Sequence, residues 1–329
     1  YILVEEPDSS TKAPRNKQAT KFDVFLFVVL VLRKLIPQKP FPNFEHREHF
    51  IGKIINLLSL GEFKADTYIT LSNAMGGVLR GINPKARIFD YQHGIIPSSQ
   101  PGFFENGQIA DRIQSNNKEV LVYGPGFREV FMKVNPDYSV SRVHVLGTFA
   151  DKMNKYKFGG TNILVTLQII ETEPKPKKWF EEQEKLLLEQ LERLAESSWK
   201  DEVTVYIKSH PRSNGTYNLS KVFSYPFVKP YEESVNEFIL HLTFFSTSAF
   251  DVAQSGIPTL FLHSPDLPEG KQIFLEEFGY PFPNPLSAVE WLEDLADESF
   301  KDKIEKGVLN WYERFYAPFN ELLFSHLIQ

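Results

Sequence analysis

Short apolar stretches of strand character alternate with helical stretches along most of the chain, and this alternation restricts the fold strongly. DTYITLS at Asp66–Ser72 and NILVTLQ at Asn162–Gln168 are typical strands, and an amphipathic helix pattern follows at Lys177–Ser198. Such an order predicts an α/β fold in which helices cover parallel sheets. The polar stretch Phe149–Gly160 ends in two glycines and is typical of a linker.

This linker divides the 329-residue chain into two predicted domains, residues 1–150 and residues 151–329. We expect two Rossmann-like domains that face each other across a cleft. The helical tail is interrupted at Pro318, so its last segment can cross back to the first domain. In open sheets of this kind, ligands bind outside the carboxyl ends of the strands.

The amino-acid composition restricts which molecules and surfaces the chain can bind. The net charge of -6 gives no excess of cations for nonspecific nucleic-acid binding, so we expect no nucleic-acid partner. The absence of cysteine excludes disulfides and thiol catalysis and fits a cytoplasmic protein. The apolar run Val24–Leu32 is too short to span a bilayer and predicts a buried helix or strand. Arg33 and Lys34 beside it leave open a peripheral association with the inner face of the membrane.

Three cationic side chains crowd the end of one strand. In VTVYIKSHPR, Lys208, His210 and Arg212 follow the apolar residues, and Pro211 fixes the backbone of the turn. A histidine held in this way can donate a hydrogen bond to a phosphate, while the lysine and arginine supply countercharge. The alternative is a solvated loop in which the charges have no common partner.

A second polar cluster lies between a strand and a helix in FFSTSAFDVAQSG. Ser246, Thr247 and Ser248 are suited to a helix start, where free N–H groups bind anions. The hydroxyls could instead only cap the helix, but the neighbouring His210 favours anion binding. Gln168, at the end of another predicted strand, completes the candidate donor-binding set.

The first half of the chain offers candidates for acid–base chemistry in DYQHG. His93 at the strand end is suited to removing a proton from an acceptor hydroxyl, and Asp90 or Glu105 could do so instead. Gln92 and Gly94 join Glu105 as acceptor-side candidates, because Gly94 permits close approach of a substrate. The alternative role for His93 is that of a buried hydrogen-bonding residue.

Other motifs predict little chemistry. The chain contains neither a complete dinucleotide fingerprint nor a P-loop. FEHREHF at Phe44–Phe50 lacks a third ligand and predicts a charged helix face. LSNAMGG at Leu71–Gly77 is a strand–helix turn that could contact donor or acceptor. We therefore expect no metal and no cofactor other than a substrate nucleotide.

Three motifs together resemble bacterial glycosyltransferases of the two-Rossmann (GT-B) type. They are Q-H-G at Gln92–Gly94, K-x-H-P-R at Lys208–Arg212 and S-T-S-A-F-D-V-A-x-S-G-I-P at Ser246–Pro258. They are most similar to the group of sialyltransferases, polysialyltransferases and capsule Kdo transferases, and CDP-glycerol polymerases share a similar layout. The resemblance implies that His210, Pro211 and the hydroxyls of Ser246–Ser248 contact donor phosphate.

The resulting expectation is a glycosyltransferase that moves a sugar from a nucleotide-activated donor to a glycan or lipid-linked acceptor. It would act in surface polysaccharide synthesis, such as capsule or lipopolysaccharide, with inversion and without a metal. The donor base, in CMP, CDP, UDP or GDP, stays open. A UDP-sugar 2-epimerase and a non-catalytic module that binds glycans or partners are the alternatives.

Overall fold

The computed structural model describes residues 4–5, 20–21, 23–71, 75–149, 155–170, 176–284 and 287–328. The chain divides into two compact units. Unit 1 consists of Tyr1–Val122, Arg128–Leu146 and Asn320–Gln329, and unit 2 of Tyr123–Phe127 and Gly147–Phe319.

Unit 1 contains a four-stranded parallel sheet in the order β3-β4-β7-β8. A short antiparallel pair, β5-β6, and a short parallel pair, β1-β2, lie outside it. The strands are β1 (Val4–Glu5), β2 (Thr20–Lys21), β3 (Thr67–Leu71), β4 (Arg87–Tyr91), β5 (Phe104–Glu105), β6 (Gln108–Ile109), β7 (Lys118–Val122) and β8 (Val143–Val145). The helices are α1 (Asp23–Leu35), α2 (Phe44–Leu58), α3 (Gly76–Ile82), α4 (Asp111–Gln114), α5 (Pro125–Val134), whose first residues belong to unit 2, and α6 (Pro136–Arg142).

Unit 2 contains a five-stranded parallel sheet in the order β11-β10-β9-β12-β13. Its strands are β9 (Lys157–Thr166), β10 (Thr204–Lys208), β11 (Val228–Pro230), β12 (Glu237–Thr243) and β13 (Thr259–Phe261). Its helices are α7 (Lys177–Glu196), α8 (Ser248–Ala253), α9 (Ala288–Leu295) and α10 (Glu298–Phe315), with 3-10 turns at Ser198–Asp201 and Val222–Ser224 and a π-helix at Lys271–Glu277. The last helix, α11 (Glu321–Ile328), belongs to unit 1.

The predicted α/β class with two parallel-sheet units is confirmed. The predicted linker at Phe149–Gly160 is wrong at its end, because Lys157 and Phe158 pair with Glu237 and Phe238 as part of β9. The two glycines therefore lie within a strand, where the register with β12 shifts.

Helix α1 is less buried than its apolar sequence predicts. Val24 and Phe27 are 70% and 66% exposed, whereas Val29 is fully buried against α2 and α3. One face of α1 thus belongs to the core of unit 1, and the other carries exposed apolar side chains beside Lys34. In the described part of the chain, no helix is both long and apolar enough to cross a membrane.

The predicted charged motif FEHREHF lies on helix α2, which buries two of its acidic side chains. Glu48 is 2% exposed and forms a bidentate ion pair with Arg33, at 2.6 Å from its Nη2. Glu45 accepts a hydrogen bond from the Asn116 side chain at 2.6 Å, and its burial raises its pKa. These two carboxyl groups are therefore satisfied by partners inside unit 1 rather than by solvent.

Helices α2 and α3 pack closely where they cross, and each contributes a glycine at the crossing. A Cβ on Gly52 would lie 2.1 Å from the carbonyl oxygen of Val78, and a Cβ on Gly81 would lie 2.1 Å from that of His49. No real Cβ fits at these distances, so this close crossing requires glycine at both positions.

The core of unit 2 contains a cluster of aromatic rings between α8, α10 and the start of α5. Phe250 stacks on Trp311 with ring centroids 4.4 Å apart and also contacts Phe315 at 5.4 Å. Phe127 joins the cluster edge-on to Phe315 at 5.0 Å. These ring contacts hold α8, which begins at Ser248 shortly after β12, against α10.

Candidate functional site

The histidine that follows β10 has a fixed ring orientation. Its Nδ1 accepts a hydrogen bond from the backbone N–H of Arg212 at 3.1 Å, and its carbonyl accepts one from Ser213 at 2.9 Å. In the neutral imidazole of His210 the proton therefore resides on Nε2. The turn made by Pro211 thus presents an N–H donor at the carboxyl end of the sheet of unit 2.

The lysine at the end of β10 is oriented by tyrosines. Lys208 Nζ donates to the hydroxyl of Tyr156 at 3.0 Å and lies 5.2 Å from the ring centre of Tyr231. Burial raises the pKa of Tyr156, so its hydroxyl stays neutral at physiological pH. The half-buried ammonium group is thus held in place by a neutral hydroxyl partner.

A buried network of hydroxyls connects three strands and α8. Thr166 Oγ1, at the end of β9, lies 2.9 Å from His241 Nε2, 3.0 Å from Thr243 Oγ1 and 2.8 Å from Ser248 Oγ. Thr166 pairs in register with both Lys208 and Thr243, so all three side chains share one face of the sheet. The network therefore lies beside the lysine of β10.

The centre of this network is a completely buried imidazole. His241 Nδ1 lies 3.1 Å from Thr259 Oγ1, so both ring nitrogens have hydroxyl partners. Burial, and secondarily the charge of Lys208, lowers the pKa of His241 to about 3. The ring is thus neutral at physiological pH and acts as a hydrogen-bonding bridge between β9, β12 and β13.

The three hydroxyl residues before and at the start of α8 have different environments. Ser248 Oγ donates to Ser246 Oγ at 2.7 Å and also contacts Thr166, so these two serines belong to the buried network. Thr247 is exposed and makes no side-chain capping bond. Of the three predicted phosphate contacts, Thr247 is therefore the one whose hydroxyl faces solvent.

Some of the predicted site residues lie together in the structure, and residues that were not predicted lie beside them. Lys208, Ser246 and Ser248 belong to one polar region with Thr166 and His241, whereas Gln168 is half-exposed two residues beyond β9. Five residues of this region were not predicted from the sequence; one immediately precedes β9, and the other four are polar residues within strands. They are Tyr156, Thr166, His241, Thr243 and Thr259.

The candidate residues of unit 1 lie around the end of β4. His93 is exposed, and Gln92 is buried with its side-chain N–H donating to the carbonyl of Gly94 at 2.7 Å. Gly94 has a φ of +74°, a conformation suited to glycine. Glu105, on β5, is exposed and lies 3.8 Å from Arg112.

Asp90 has a different environment from the other acidic candidate. It is fully buried, and its carboxylate lies 3.8 Å from the ammonium group of Lys118, which is also buried. Burial lowers the pKa of Lys118, and the charge of Asp90 opposes this effect. Because a substrate hydroxyl cannot reach a fully buried carboxylate, the geometry favours His93 over Asp90 as a base.

No family model and no curated protein matches the sequence. Among solved structures, a variant of the wall teichoic acid polymerase TagF matches at 11% identity with a TM-score of 0.54, covering 100% of this chain and 80% of that one. A variant of Os79 from O. sativa in complex with UDP matches at 8% identity with a TM-score of 0.53, covering 100% and 99%.

A candidate UDP-N-acetylglucosamine 2-epimerase from Listeria monocytogenes matches at 11% identity with a TM-score of 0.52, covering 84% of this chain and 77% of that one. At such identities the likeness concerns the fold. The chain thus has the α/β fold of GT-B proteins, with a parallel sheet in each unit. In the described residues, no three His, Asp or Glu side chains lie close enough to hold a metal ion.

Proposed function

We propose that this chain is a glycosyltransferase that moves a sugar from a nucleotide-activated donor to a hydroxyl group of an acceptor. The observation that carries the proposal is the fixed ring of His210, whose Nδ1 is occupied by a backbone N–H and whose Nε2 can donate to a phosphate. The fold supports it, since it is shared with TagF and with the UDP-bound Os79 variant. We assign the donor to unit 2 and the acceptor to unit 1.

In the proposed reaction, an acceptor oxygen attacks the anomeric carbon while the bond from that carbon to the phosphate oxygen breaks. The electron pair of the broken bond leaves with the phosphate, and the anomeric centre inverts. Nε2–H of His210, the charges of Lys208 and Arg212 and the hydroxyl of Thr247 stabilise the departing nucleotide. Each well-placed donor contributes about 3–4 kcal/mol to such stabilisation.

The proton of the acceptor hydroxyl goes to a base, which we assign to His93. Gln92 supports this residue, because its side chain holds the turn at Gly94. The cationic side chains of unit 2 provide the countercharge that a metal provides in other transferases, so the proposed mechanism uses none. Pro211 keeps the His210 loop in its conformation.

We further propose that the acceptor is a glycan or a lipid-linked saccharide of a bacterial surface polymer. Support comes from the fold of TagF, a wall teichoic acid polymerase, and from the exposed apolar face of α1. Val24 and Phe27 on that face lie on the same helix as Arg33 and Lys34. Such a helix is suited to a peripheral position at the inner face of the membrane.

The first test is thermal unfolding of the full chain with CMP, CDP, UDP or GDP. We expect one of them to stabilise the protein, and we expect the His210→Ala variant to lose this stabilisation. The corresponding nucleotide sugar should then transfer its sugar to an acceptor preparation from bacterial envelope. Absence of stabilisation by every nucleotide would contradict the proposal and favour a non-catalytic binding module.

An epimerase is the second candidate function, because the Listeria protein shares the fold. It requires no acceptor. NMR of the nucleotide sugar incubated with enzyme alone separates the two, since an epimerase produces the 2-epimer and a transferase leaves the sugar unchanged in configuration at that carbon.

A further inference from the structure

A separate pocket of about 330 Å³ lies within unit 1, between α2, α3 and the loop before β7. Its polar lining consists of His49, Lys53, Arg80, Ser115 and Asn117. Since Asn117 immediately precedes β7, the pocket is at the amino end of that strand. His93 follows β4 at the carboxyl edge of the same sheet, so the pocket is distinct from the candidate site.

The arginine of this pocket is held rigidly by neutral groups. The guanidinium of Arg80 donates to the carbonyl oxygens of Asn116 at 3.0 Å, Ala86 at 2.6 Å and Pro84 at 2.9 Å. In the part of the chain that the structure describes, no carboxylate forms an ion pair with Arg80 or Lys53. Carbonyl dipoles orient a guanidinium without neutralising it, so the pocket retains the charge.

The histidine of this pocket has one nitrogen occupied. Asn116 donates through its side-chain nitrogen to Glu45 at 2.6 Å, so its oxygen accepts, and His49 Nε2 donates to that oxygen at 2.8 Å. The neutral ring therefore carries no proton on Nδ1. Burial lowers the pKa of His49, and the charges of His46, Arg80 and Lys53 lower it further. A bound anion would favour proton uptake at Nδ1.

One acidic residue, Asp111, contacts the lining residue Ser115. Asp111 accepts hydrogen bonds from Ser115 at 2.5 Å and from Asn43 at 2.6 Å. It is exposed, and its charge is shared by these two donors. The lysine and the arginine thus leave an excess of positive charge in the pocket.

We propose that this pocket binds a small phosphate monoester. A dianion matches the combined charge of Lys53 and Arg80, whereas a carboxylate would neutralise only one of them. The volume is at the lower end of the ~300–1,000 Å³ range of small-molecule sites. Because Arg80 is already immobilised, binding costs little side-chain entropy there.

The test is a calorimetric titration of the full chain with glucose 1-phosphate, with glucose as the neutral control. Lys53→Gln should weaken binding roughly tenfold, because it removes one charge-assisted contact. Lys64→Gln, at another exposed lysine that does not line the pocket, should bind as the wild type does. His210→Ala should also retain binding, which separates this pocket from the proposed donor site.

NMR provides the local readout. The ring resonances of His49, assigned with the His49→Gln variant, should shift on addition of glucose 1-phosphate but not of glucose. Circular dichroism confirms that each variant is folded. Absence of binding by the wild type, or equal affinity in Lys53→Gln and wild type, would overturn the proposal. Nucleotide binding should be unchanged in Lys53→Gln, so the two proposals fail independently.

Discussion

At the scale of single residues, the ring of His210 is oriented by a hydrogen bond within its own turn. The backbone N–H of Arg212 is two residues away, and Pro211 between them restricts the backbone. The sequence therefore suffices to predict this feature. The environment of Ser248 could not be predicted in the same way, because its partner Thr166 is 82 residues away in sequence.

The first prediction concerns His210. His210→Ala should lower kcat roughly 100- to 1,000-fold and weaken nucleotide binding, because a donor to the leaving phosphate is lost. His210→Gln retains an N–H donor and should be less impaired. Initial rates and calorimetry with the nucleotide found in the thermal panel provide the measurement. His326→Ala, an exposed histidine on α11, is the control and should be unaffected.

The second prediction concerns the pH dependence of stability. The pKa of His241 is about 3 in the folded protein and about 6.5 in the unfolded chain, so protons bind preferentially to the unfolded state. The stability due to the neutral ring is fully present above pH 6.5 and declines as the pH falls toward 3. Between pH 7 and pH 5 the loss should be about 2 kcal/mol.

Urea unfolding of wild type and His241→Gln at both pH values measures this loss. The variant lacks the titrating group. Between pH 7 and pH 5 its free energy of unfolding should therefore decline by about 2 kcal/mol less than that of the wild type. His49 and His263, whose pKa values are also lowered by burial, titrate in both proteins and cancel in the comparison. An equal decline in the free energy of unfolding of both proteins would show that His241 does not titrate as described.

At the scale of helices and strands, the sequence predicts the main elements well. The predicted strand Asp66–Ser72 corresponds to β3, and the predicted helix Lys177–Ser198 corresponds to α7. Hydrophobic periodicity does not predict whether a side chain is buried when a residue distant in sequence determines its burial. Glu48 is buried because Arg33 pairs with it from α1, and no local pattern in the motif FEHREHF indicates that partner.

The third prediction concerns the crossing of α2 and α3. Gly52→Ala should lower the free energy of unfolding by about 1–3 kcal/mol, because the new methyl group would overlap the carbonyl oxygen of Val78. Leu57→Ala on the same helix is a control at a side chain that is 74% exposed, and it should change stability by less than about 0.5 kcal/mol. Thermal or urea unfolding measures both, and equal stability of the two variants would contradict the tight crossing.

At the scale of the whole molecule, each unit has its own sheet and its own buried core. We therefore expect calorimetric unfolding in two transitions. The nucleotide identified in the panel should raise only the transition of unit 2, by the equivalent of about 2.7 kcal/mol at 100 times its dissociation constant. A single transition that the nucleotide shifts as a whole would contradict this prediction.

Each unit is made of segments that are not contiguous in sequence, and this limits how the units can be produced as separate fragments. Residues 123–127 belong to unit 2 although unit 1 flanks them, and the chain returns to unit 1 at Asn320. A fragment that starts at Gly147 would lack Phe127 and leave a gap in the ring cluster around Phe315. Neither unit is contiguous in sequence, so a single crossover near Gly147 would not transfer an intact unit 2 into another protein.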